Sequence, residues 1–382
     1  MMVDGIMKKY PEAMIIHILL RLPLKFILRL KRVSKTLYTL IQSSSFINIH
    51  YNHTLTSTYD NILLKRSCKE DIERYKAVFS FISSDDEDNL NSVYPDLDVP
   101  NLLRISSVKS DKLIDSNHGL IALMEPRTTI LFNISTRNYR QLPRSPFQIS
   151  KGFYQSIKSG GFGYDPVVND FKVFRISEVY KEDRYGYPEN GETKVEVYEL
   201  GIDIWRKLDH VDQELPILFW LNSSMSYKGA YHWIASVEGG NIILCFDMTT
   251  EIFRNIQMPN TSKFFKGTLN SLQLLNESLS LLCYPCLASG TDPTTDLMEI
   301  WIMKDYNIYE SWIKKNTIIG LPTENPLVVW KDYIFLFQSN SGYLISYDLK
   351  QDEIKELNIL GCPKTMRAII YKEFLTPIQR ES

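Results

Sequence analysis

Apolar residues near the start of the chain recur at the spacing of short helices. The first stripe consists of Met14, Ile15, Ile18, Leu19 and Leu22. Its steps of one, three and four residues place these side chains on one face of a helix. A second stripe follows at Leu24, Ile27 and Leu28, and a third at Leu37, Leu40 and Ile41. The pattern therefore predicts three short helices within about 32 residues.

Prolines and a serine mark where these helices begin. Pro11 precedes the first stripe, where a missing N–H does no harm. Pro23 ends the first helix and suits the first turn of the second. Ser34 is a plausible N-cap for the third. The helices are thus joined tightly, with few residues between them.

So small a helical module cannot bury all its apolar residues. A unit of ~40 residues rarely stands alone without disulfides, a metal or a partner. It contains no cysteine, and its excess apolar residues are Ile15, Ile16, Phe26, Ile27 and Leu30. These cannot all point at one core, so either the rest of the chain or another protein covers them.

After about residue 60 the pattern changes to short apolar and aromatic runs between polar turns. Five segments share one layout, a β-rich run that leads through a polar turn to an apolar residue. They are anchored at Phe132, Tyr198, Phe246, Ile302 and Tyr347, at intervals of 66, 48, 56 and 45 residues. The shorter intervals match the ~40–50 residues per blade of WD40 and kelch propellers. A β-sandwich would explain the internal similarity less well.

The predicted fold class is α+β multidomain, a small three-helix module followed by an all-β, kelch-like propeller. We place the helical module at residues 1–50, a linker with an acidic run at 51–95, the propeller at 96–376 and a tail at 377–382. The number of blades stays open.

Charge divides the chain in the same way. Residues 1–41 contain eight Lys and Arg against two acidic residues, a net charge of +6. The whole chain has a net charge of −2, so the remainder carries −8. Two regions of opposite sign suggest two modules with different partners. The acidic run at 83–88 is predicted to be a solvated loop, with contact to a basic partner as the alternative.

The cysteines and histidines show no metal-binding or catalytic spacing. Cys283 and Cys286 form a C-x-x-C without the second ligand pair that zinc needs, so we predict structural cysteines. The histidines His118, His210 and His232 are scattered. An odd, sparse set of five cysteines favours a reducing compartment.

No other catalytic constellation is visible. There is no G-x-S-x-G nucleophile elbow. The glycine-rich GGFGYD at 160–165 leads into a strand pattern, and we predict a β-turn there. Asp165 and Asp170 suit turn chemistry. We therefore predict no catalytic residue, metal or cofactor, and neither a nucleic-acid nor a membrane partner. A propeller enzyme remains an alternative.

The stretch YPEAMIIHILLRLPLKFILRLKRVSKTLYTLIQSSSFI, residues 10–47, resembles an F-box. It departs from the usual pattern at Tyr10, Phe26 and Leu37, where Leu, Ser and Trp are common. The resemblance implies docking on a Skp1-type adaptor that connects to cullin-1 and a RING protein. The implied adaptor-binding residues are Pro11, Ile15, Ile18, Leu19, Leu22, Pro23, Leu24, Ile27, Leu28, Val33, Ser34, Lys35 and Leu37. Leu37, in place of Trp, removes a large anchor.

The remaining chain is similar to the plant S-locus F-box proteins. The similarity is carried by HGLIAL (118–123), TRNYRQLPRSPF (136–147), GFGYDPVVNDFKVFRISEVY (161–180), LCFDMTTEIFRN (244–255) and SGYLISYDL (341–349). It implies a non-catalytic subunit of an SCF-type E3 ubiquitin ligase in the pollen-tube cytoplasm. Its implied targets are non-self S-RNases, which are basic ribonucleases that enter pollen during self-incompatibility.

Two acidic segments, 181–192 and 289–299, are candidates for contact with such a basic substrate. Their candidate residues are Glu182, Asp183, Glu189, Glu192, Asp292 and Asp296. They are equally well explained as ordinary solvated insertions. The alternative functions are an F-box/kelch-type receptor for a different protein substrate and a propeller scaffold without a ligase role.

Overall fold

The N-terminal part of the described chain contains four helices, where three were predicted. They are α1 (Glu12–Leu20), α2 (Leu24–Leu30), α3 (Lys35–Gln42) and α4 (Ser44–Leu55). The computed structural model describes residues 10–56, 61–69, 75–84, 90–92, 97–98, 112–114, 118–124, 128–147, 149–182, 188–208, 215, 217–218, 224–238, 240–261, 269–284, 297–319 and 326–378.

The sequence signals for helix starts hold in the first three helices. Pro11 and Pro23 each precede a helix. The Ser34 hydroxyl oxygen accepts a hydrogen bond from the Leu37 backbone N–H at 3.1 Å. Ser43 caps α4 in the same way, because its hydroxyl oxygen accepts from the Phe46 N–H at 3.2 Å. These bonds satisfy N–H groups that the helix itself leaves without partners.

Six antiparallel sheets follow and form the six blades of a β-propeller. Blade 1 contains β1 (Asn61–Lys69), β2 (Tyr75–Ser84), β3 (Leu90–Ser92), β4 (Leu97–Asp98) and β26 (Arg367–Tyr371). Blade 2 contains β5 (Lys112–Ile114), β6 (Ile121–Met124), β7 (Thr129–Asn133) and β8 (Asn138–Gln141). Blade 3 contains β9 (Tyr154–Asp165), β10 (Asp170–Glu182), β11 (Pro188–Glu199) and β12 (Ile204–Lys207).

The other three blades repeat this arrangement. Blade 4 contains β13 (Ile217–Leu218), β14 (Ser224–Tyr227), β15 (Ala230–Val237), β16 (Gly240–Asp247) and β17 (Phe253–Gln257). Blade 5 contains β18 (Leu269–Leu275), β19 (Ser278–Tyr284), β20 (Leu297–Met303) and β21 (Trp312–Ile319). Blade 6 contains β22 (Pro326–Trp330), β23 (Ile334–Gln338), β24 (Tyr343–Asp348) and β25 (Glu353–Leu360).

The repeat read from the sequence coincides with this architecture. Its anchor residues lie in β7, β11, β16, β20 and β24, the third strands of blades 2 to 6. Each anchor is the last residue but one of its strand, and these are Phe132, Tyr198, Phe246, Ile302 and Tyr347. The irregular intervals therefore arise from connections of unequal length between equivalent strands.

Blade 1 joins the two ends of the propeller. β26 pairs with β1, with Leu63 opposite Ile369, and β1 pairs in turn with β2. Strands of this blade therefore occupy residues 61–69, 75–84 and 90–92, inside the range 51–95 that was predicted as a linker, and residues 51–55 belong to α4. Local patterning could not reveal this, because the partner strand is almost 300 residues away.

The glycine-rich segment at 160–165 is also not a turn. It lies inside β9, and the turn follows at 166–169. A Cβ on Gly161 would lie 2.4 Å from the Phe174 Cζ, and one on Gly160 would lie 2.5 Å from the Met124 sulfur. The glycines thus allow close packing within blade 3 and against blade 2.

The turns after the innermost strands gather on one side of the ring. The Tyr227 hydroxyl, at the end of β14, donates to the Glu277 carbonyl at 2.9 Å. The Asn276 N–H donates to the Asp332 carboxylate at 2.6 Å. These bonds connect turns of blades 4, 5 and 6. We call this side the proximal face, because the helices pack on it, and the opposite side the distal face.

The segment after β26 attaches the helices to the proximal face. Leu375 belongs to the hydrophobic core of the helices, and the Phe374 ring centroid lies 4.9 Å from that of Tyr51 on α4. The Asn133 side-chain amide donates to the carbonyls of Phe374 at 3.1 Å and Thr376 at 2.8 Å. One short segment therefore contacts the helices and blade 2 together.

Candidate protein-binding surfaces

The predicted adaptor-binding residues fall into three groups, which are buried, partly buried and exposed. Four are buried in the helices' own core: Leu19, Leu24, Ile27 and Leu37. Four more, Ile15, Leu22, Leu28 and Ser34, are partly buried, and Pro11, Ile18, Pro23, Val33 and Lys35 are exposed. The buried group shapes the module, so only the exposed and partly buried residues offer surface to a partner.

An exposed apolar surface remains on α1. Tyr10, Met14 and Ile18 follow one another at four-residue steps, and Ile18 is 56% exposed. Met14 and Ile18 therefore lie on the same face of α1, and the exposed Tyr10 precedes the helix at the same spacing. Ile18 was predicted as a contact, but Tyr10 and Met14 were not. The signal that identifies them is this four-residue spacing, which runs beside the partly buried Ile15 and the buried Leu19.

Basic residues accompany a second exposed apolar residue. Phe26 on α2 is exposed, with the Lys25 ammonium 5.6 Å and the Arg29 guanidinium 5.7 Å from its ring centroid. Arg21, Arg32 and Lys35 are exposed as well. Exposed apolar side chains beside cations suit a partner with an apolar groove and acidic margins. Phe26 was predicted as a departure from the usual pattern and as an excess apolar residue to be covered by the rest of the chain or by another protein, but it was not among the predicted adaptor contacts.

Leu37 has a different role from the one predicted. It is buried on α3 in the same core as Ile27 and Ile41. A smaller residue in place of the usual Trp therefore acts on the packing of the helices. It does not directly reduce the exposed apolar surface.

The two acidic segments adjoin strand ends on the distal face. Of the first segment, residues 181–182 end β10 and residues 188–192 begin β11, the second and third strands of blade 3. Of the second segment, only residues 297–299 are described, and they begin β20, the third strand of blade 5. Glu182 is exposed, and Glu192 is 72% exposed with its carboxylate 3.6 Å from the Lys194 ammonium. The side chain of Glu189 and all of Asp183, Asp292 and Asp296 lie outside the described residues.

An aromatic cluster beside Glu182 was not predicted. The exposed Tyr154 at the start of β9 stacks on Tyr180 of β10, with ring centroids 6.0 Å apart. The Lys181 ammonium lies 4.8 Å from the centroid of Phe153. Exposed aromatic residues are enriched at protein interfaces. The sequence does not show which aromatic residues lie close together in space. This cluster could therefore be identified only from the pairing of β9 with β10.

His118, His232 and Cys283 are buried or partly buried packing residues. Burial lowers the pKa of His118 and of His232 to about 4, so both are neutral at pH 7. Burial raises the pKa of the Cys283 thiol, which keeps it protonated. Cys286 and His210 lie outside the described residues. Among the residues that are described, no three His, Cys, Asp or Glu side chains are grouped as metal ligands.

The described residues also include no helix with the length and apolar character needed to cross a membrane.

Comparison with known proteins assigns both parts of the chain. A family model described as "F-box domain" matches residues 11–48, and one described as "F-box associated beta propeller domain" matches residues 68–374. The F-box protein CPR1 of Arabidopsis thaliana is 27% identical over 394 residues, which covers 95% of this chain and 87% of CPR1. The Arabidopsis F-box protein At4g22390 is 23% identical and covers 92% of this chain and 87% of its own length.

Proposed function

Because the chain belongs to the F-box proteins that carry an F-box-associated β-propeller domain, we propose that it is the substrate-recognition subunit of an SCF-type E3 ubiquitin ligase. The helices bind a Skp1-like adaptor, which connects the chain to cullin-1 and a RING protein. The observation that carries the proposal is the separation of two surfaces. The exposed apolar stripe lies on the helices, and the acidic and aromatic residues lie on the distal face, on the other side of the ring.

In this mechanism neither surface performs chemistry. The adaptor surface fixes the chain to the ligase, and the distal face holds a substrate near the ubiquitin-loaded enzyme. Tethering raises the effective concentration of the substrate's lysines, because their reaction becomes intramolecular. The residues that matter are therefore those that set affinity and orientation.

The substrates in this proposal are non-self S-RNases, and the site of action is the pollen-tube cytoplasm. The support is the end-to-end similarity of the sequence to S-locus F-box proteins, together with the exposed carboxylates of Glu182 and Glu192. Acidic residues on the distal face complement a basic ribonuclease and favour its encounter with the ligase.

The test is reconstitution of the ligase with a Skp1-type adaptor, cullin-1 and a RING protein against a panel of S-RNases. We expect ubiquitylation of some S-RNases, and an approximately 10-fold loss of affinity when Glu182 and Glu192 are both changed to Lys. The matched control is Glu353→Lys, because Glu353 is also exposed and paired with a lysine, Lys355, at 3.1 Å.

A second function is favoured by the similarity to CPR1 across 95% of the chain. Under it, the chain is an F-box receptor for a protein other than an S-RNase. The same reconstitution separates the two functions. If the adaptor binds but no S-RNase is bound or ubiquitylated, the S-RNase assignment fails and the receptor for another protein stands.

A further inference from the structure

Three turns on the proximal face, at residues 166–169, 200–203 and 248–252, and the start of β12 expose a group of aliphatic residues. We call Val167, Val168, Ile202, Ile204 and Ile252 the proximal patch. Val167 is 75% exposed and the other four are each more than half exposed. Single exposed apolar residues are ordinary, but contiguous exposed patches mark interaction sites.

Hydrogen bonds make the three turns into one continuous surface. The Asp170 carboxylate accepts from the Gly201 N–H at 2.7 Å, which joins the first turn to the second. The Thr249 hydroxyl donates to the Asp165 carboxylate at 3.0 Å, which joins the first turn to the third. The five aliphatic residues are therefore neighbours on one surface.

A buried ionic network holds these turns in place. The Lys172 ammonium donates to the carboxylates of Asp165 at 2.7 Å and Glu251 at 2.8 Å. Arg206 also bonds to Glu251, and it donates to Glu199 at 2.6 Å. Burial alone would lower the pKa of Lys172, but these bonds raise it above its ordinary value, so the network is ionised at pH 7. A rigid scaffold of this kind presents the patch with little loss of entropy on binding.

The patch is continuous with the helices. On the first turn, the Tyr164 hydroxyl bonds to the Asn169 side chain. The Tyr164 ring centroid lies 4.2 Å from that of His118, and His118 stacks on Tyr51 of α4 at 5.0 Å. Two ring contacts, Tyr51–His118 and His118–Tyr164, connect α4 of the F-box to the turn that carries Val167. The patch therefore lies on the same face of the ring as α4 and close to it.

From this continuity we propose that the proximal patch is a second contact for the Skp1-type adaptor that binds the helices. The proposal rests on the proposed function, because it requires the adaptor to be the partner of the F-box. Two contacts on one adaptor would hold the propeller in a single orientation relative to the ligase. The distal face would then have a defined position in the complex.

The experiment measures the affinity of the full-length chain for a Skp1-type adaptor by isothermal titration calorimetry. We expect the double variant Val167→Asp/Val168→Asp and the single variant Ile252→Asp each to weaken binding by about 10-fold. Because both changes lie on exposed turns, we expect them to leave the midpoint of thermal unfolding unchanged. The matched control is Ile319→Asp, since Ile319 is 74% exposed at the distal end of β21 and should bind normally.

A further variant separates this inference from the proposed function. Ile18→Glu, on the exposed stripe of α1, should abolish binding if the F-box docks on the adaptor. If it has no effect, the proposed function fails. If Ile18→Glu abolishes binding but the patch variants bind like the wild type, the second contact is refuted. If sedimentation shows that the patch variants only disrupt self-association, the patch binds a second copy of the chain and the proposal is wrong.

Discussion

Ile18 and Leu19 are adjacent on α1 but face different surroundings. Leu19 is 2% exposed in the helical core, whereas Ile18 is directed to solvent. The sequence placed both on one contact face, because a stripe of apolar residues does not reveal which edge is covered. Leu19 therefore stabilises the module, and Ile18 is available to a partner.

Glutamate substitutions should separate these two roles. Leu19→Glu places a carboxylate in an apolar core and should cost about 4 kcal/mol or more of folding stability. Ile18→Glu should change stability by less than about 0.5 kcal/mol while removing adaptor binding. Thermal unfolding and a pull-down on the same preparations check this. Unchanged stability in Leu19→Glu would contradict the assigned core.

Lys172 is the central cation of the buried network, and Lys172→Met should destabilise the chain by roughly 3 kcal/mol at pH 7. The network lowers the folded-state pKa of Asp165 below 3.8 and of Glu251 below 4.5, although burial acts in the opposite direction. Their stabilisation is therefore present above these values and is lost as the pH falls through the lower, folded-state pKa values.

The difference in unfolding free energy between the wild type and Lys172→Met should consequently be largest near pH 7 and shrink below about pH 4. Denaturant unfolding across this pH range measures it. A difference that stayed constant would show that Lys172 acts through packing alone.

At the scale of elements, the segment 372–378 joins the F-box to the propeller. Phe374 is buried against Tyr51, and a Cβ on Gly119 would lie 2.6 Å from the Phe374 ring. Phe374→Ala should cost about 3–5 kcal/mol and make the helices more sensitive to protease. Tyr309→Ala, at an exposed turn of blade 5, is the control and should have little effect. Equal protease resistance in both variants would argue against this junction.

Elements with a local signal were predicted well. The first three helices followed from periodicity and caps, and the repeat anchors Phe132 and Tyr347 marked equivalent strands 215 residues apart. The fourth helix was missed because α4 buries only Phe46 and His50, too few for an apolar stripe. Blade 1 was missed because its strands come from both ends of the chain.

The two candidate protein-binding surfaces could be located only in part from the sequence, for a similar reason. Sequence patterns identified apolar helices and acidic segments, but they did not show which side chains stay exposed. Tyr154 and Tyr180 meet only through the pairing of β9 with β10. The proximal patch depends on contacts among turns from two blades.

At the scale of the whole molecule, the F-box depends on the far end of the chain. Its core includes Leu375, which is supplied by the segment after β26. A fragment of residues 1–60 should therefore show less helix by circular dichroism than its four helices require. Its unfolding should also be less cooperative than in the full chain, because a module of this size buries too little surface. A fully helical, cooperatively unfolding fragment would contradict this dependence.

The ring closure between β1 and β26 also has a consequence for synthesis on the ribosome. β1 emerges early, but its partner strand begins at Arg367, about 300 residues later. At translation rates of ~5–20 residues per second, the unpaired edge of β1 waits on the order of 15–60 s. Leu375 emerges later still, so nascent or prematurely terminated chains lack a complete F-box core. Only full-length chains would then bind the adaptor, and incomplete chains would be bound by chaperones or degraded by proteases.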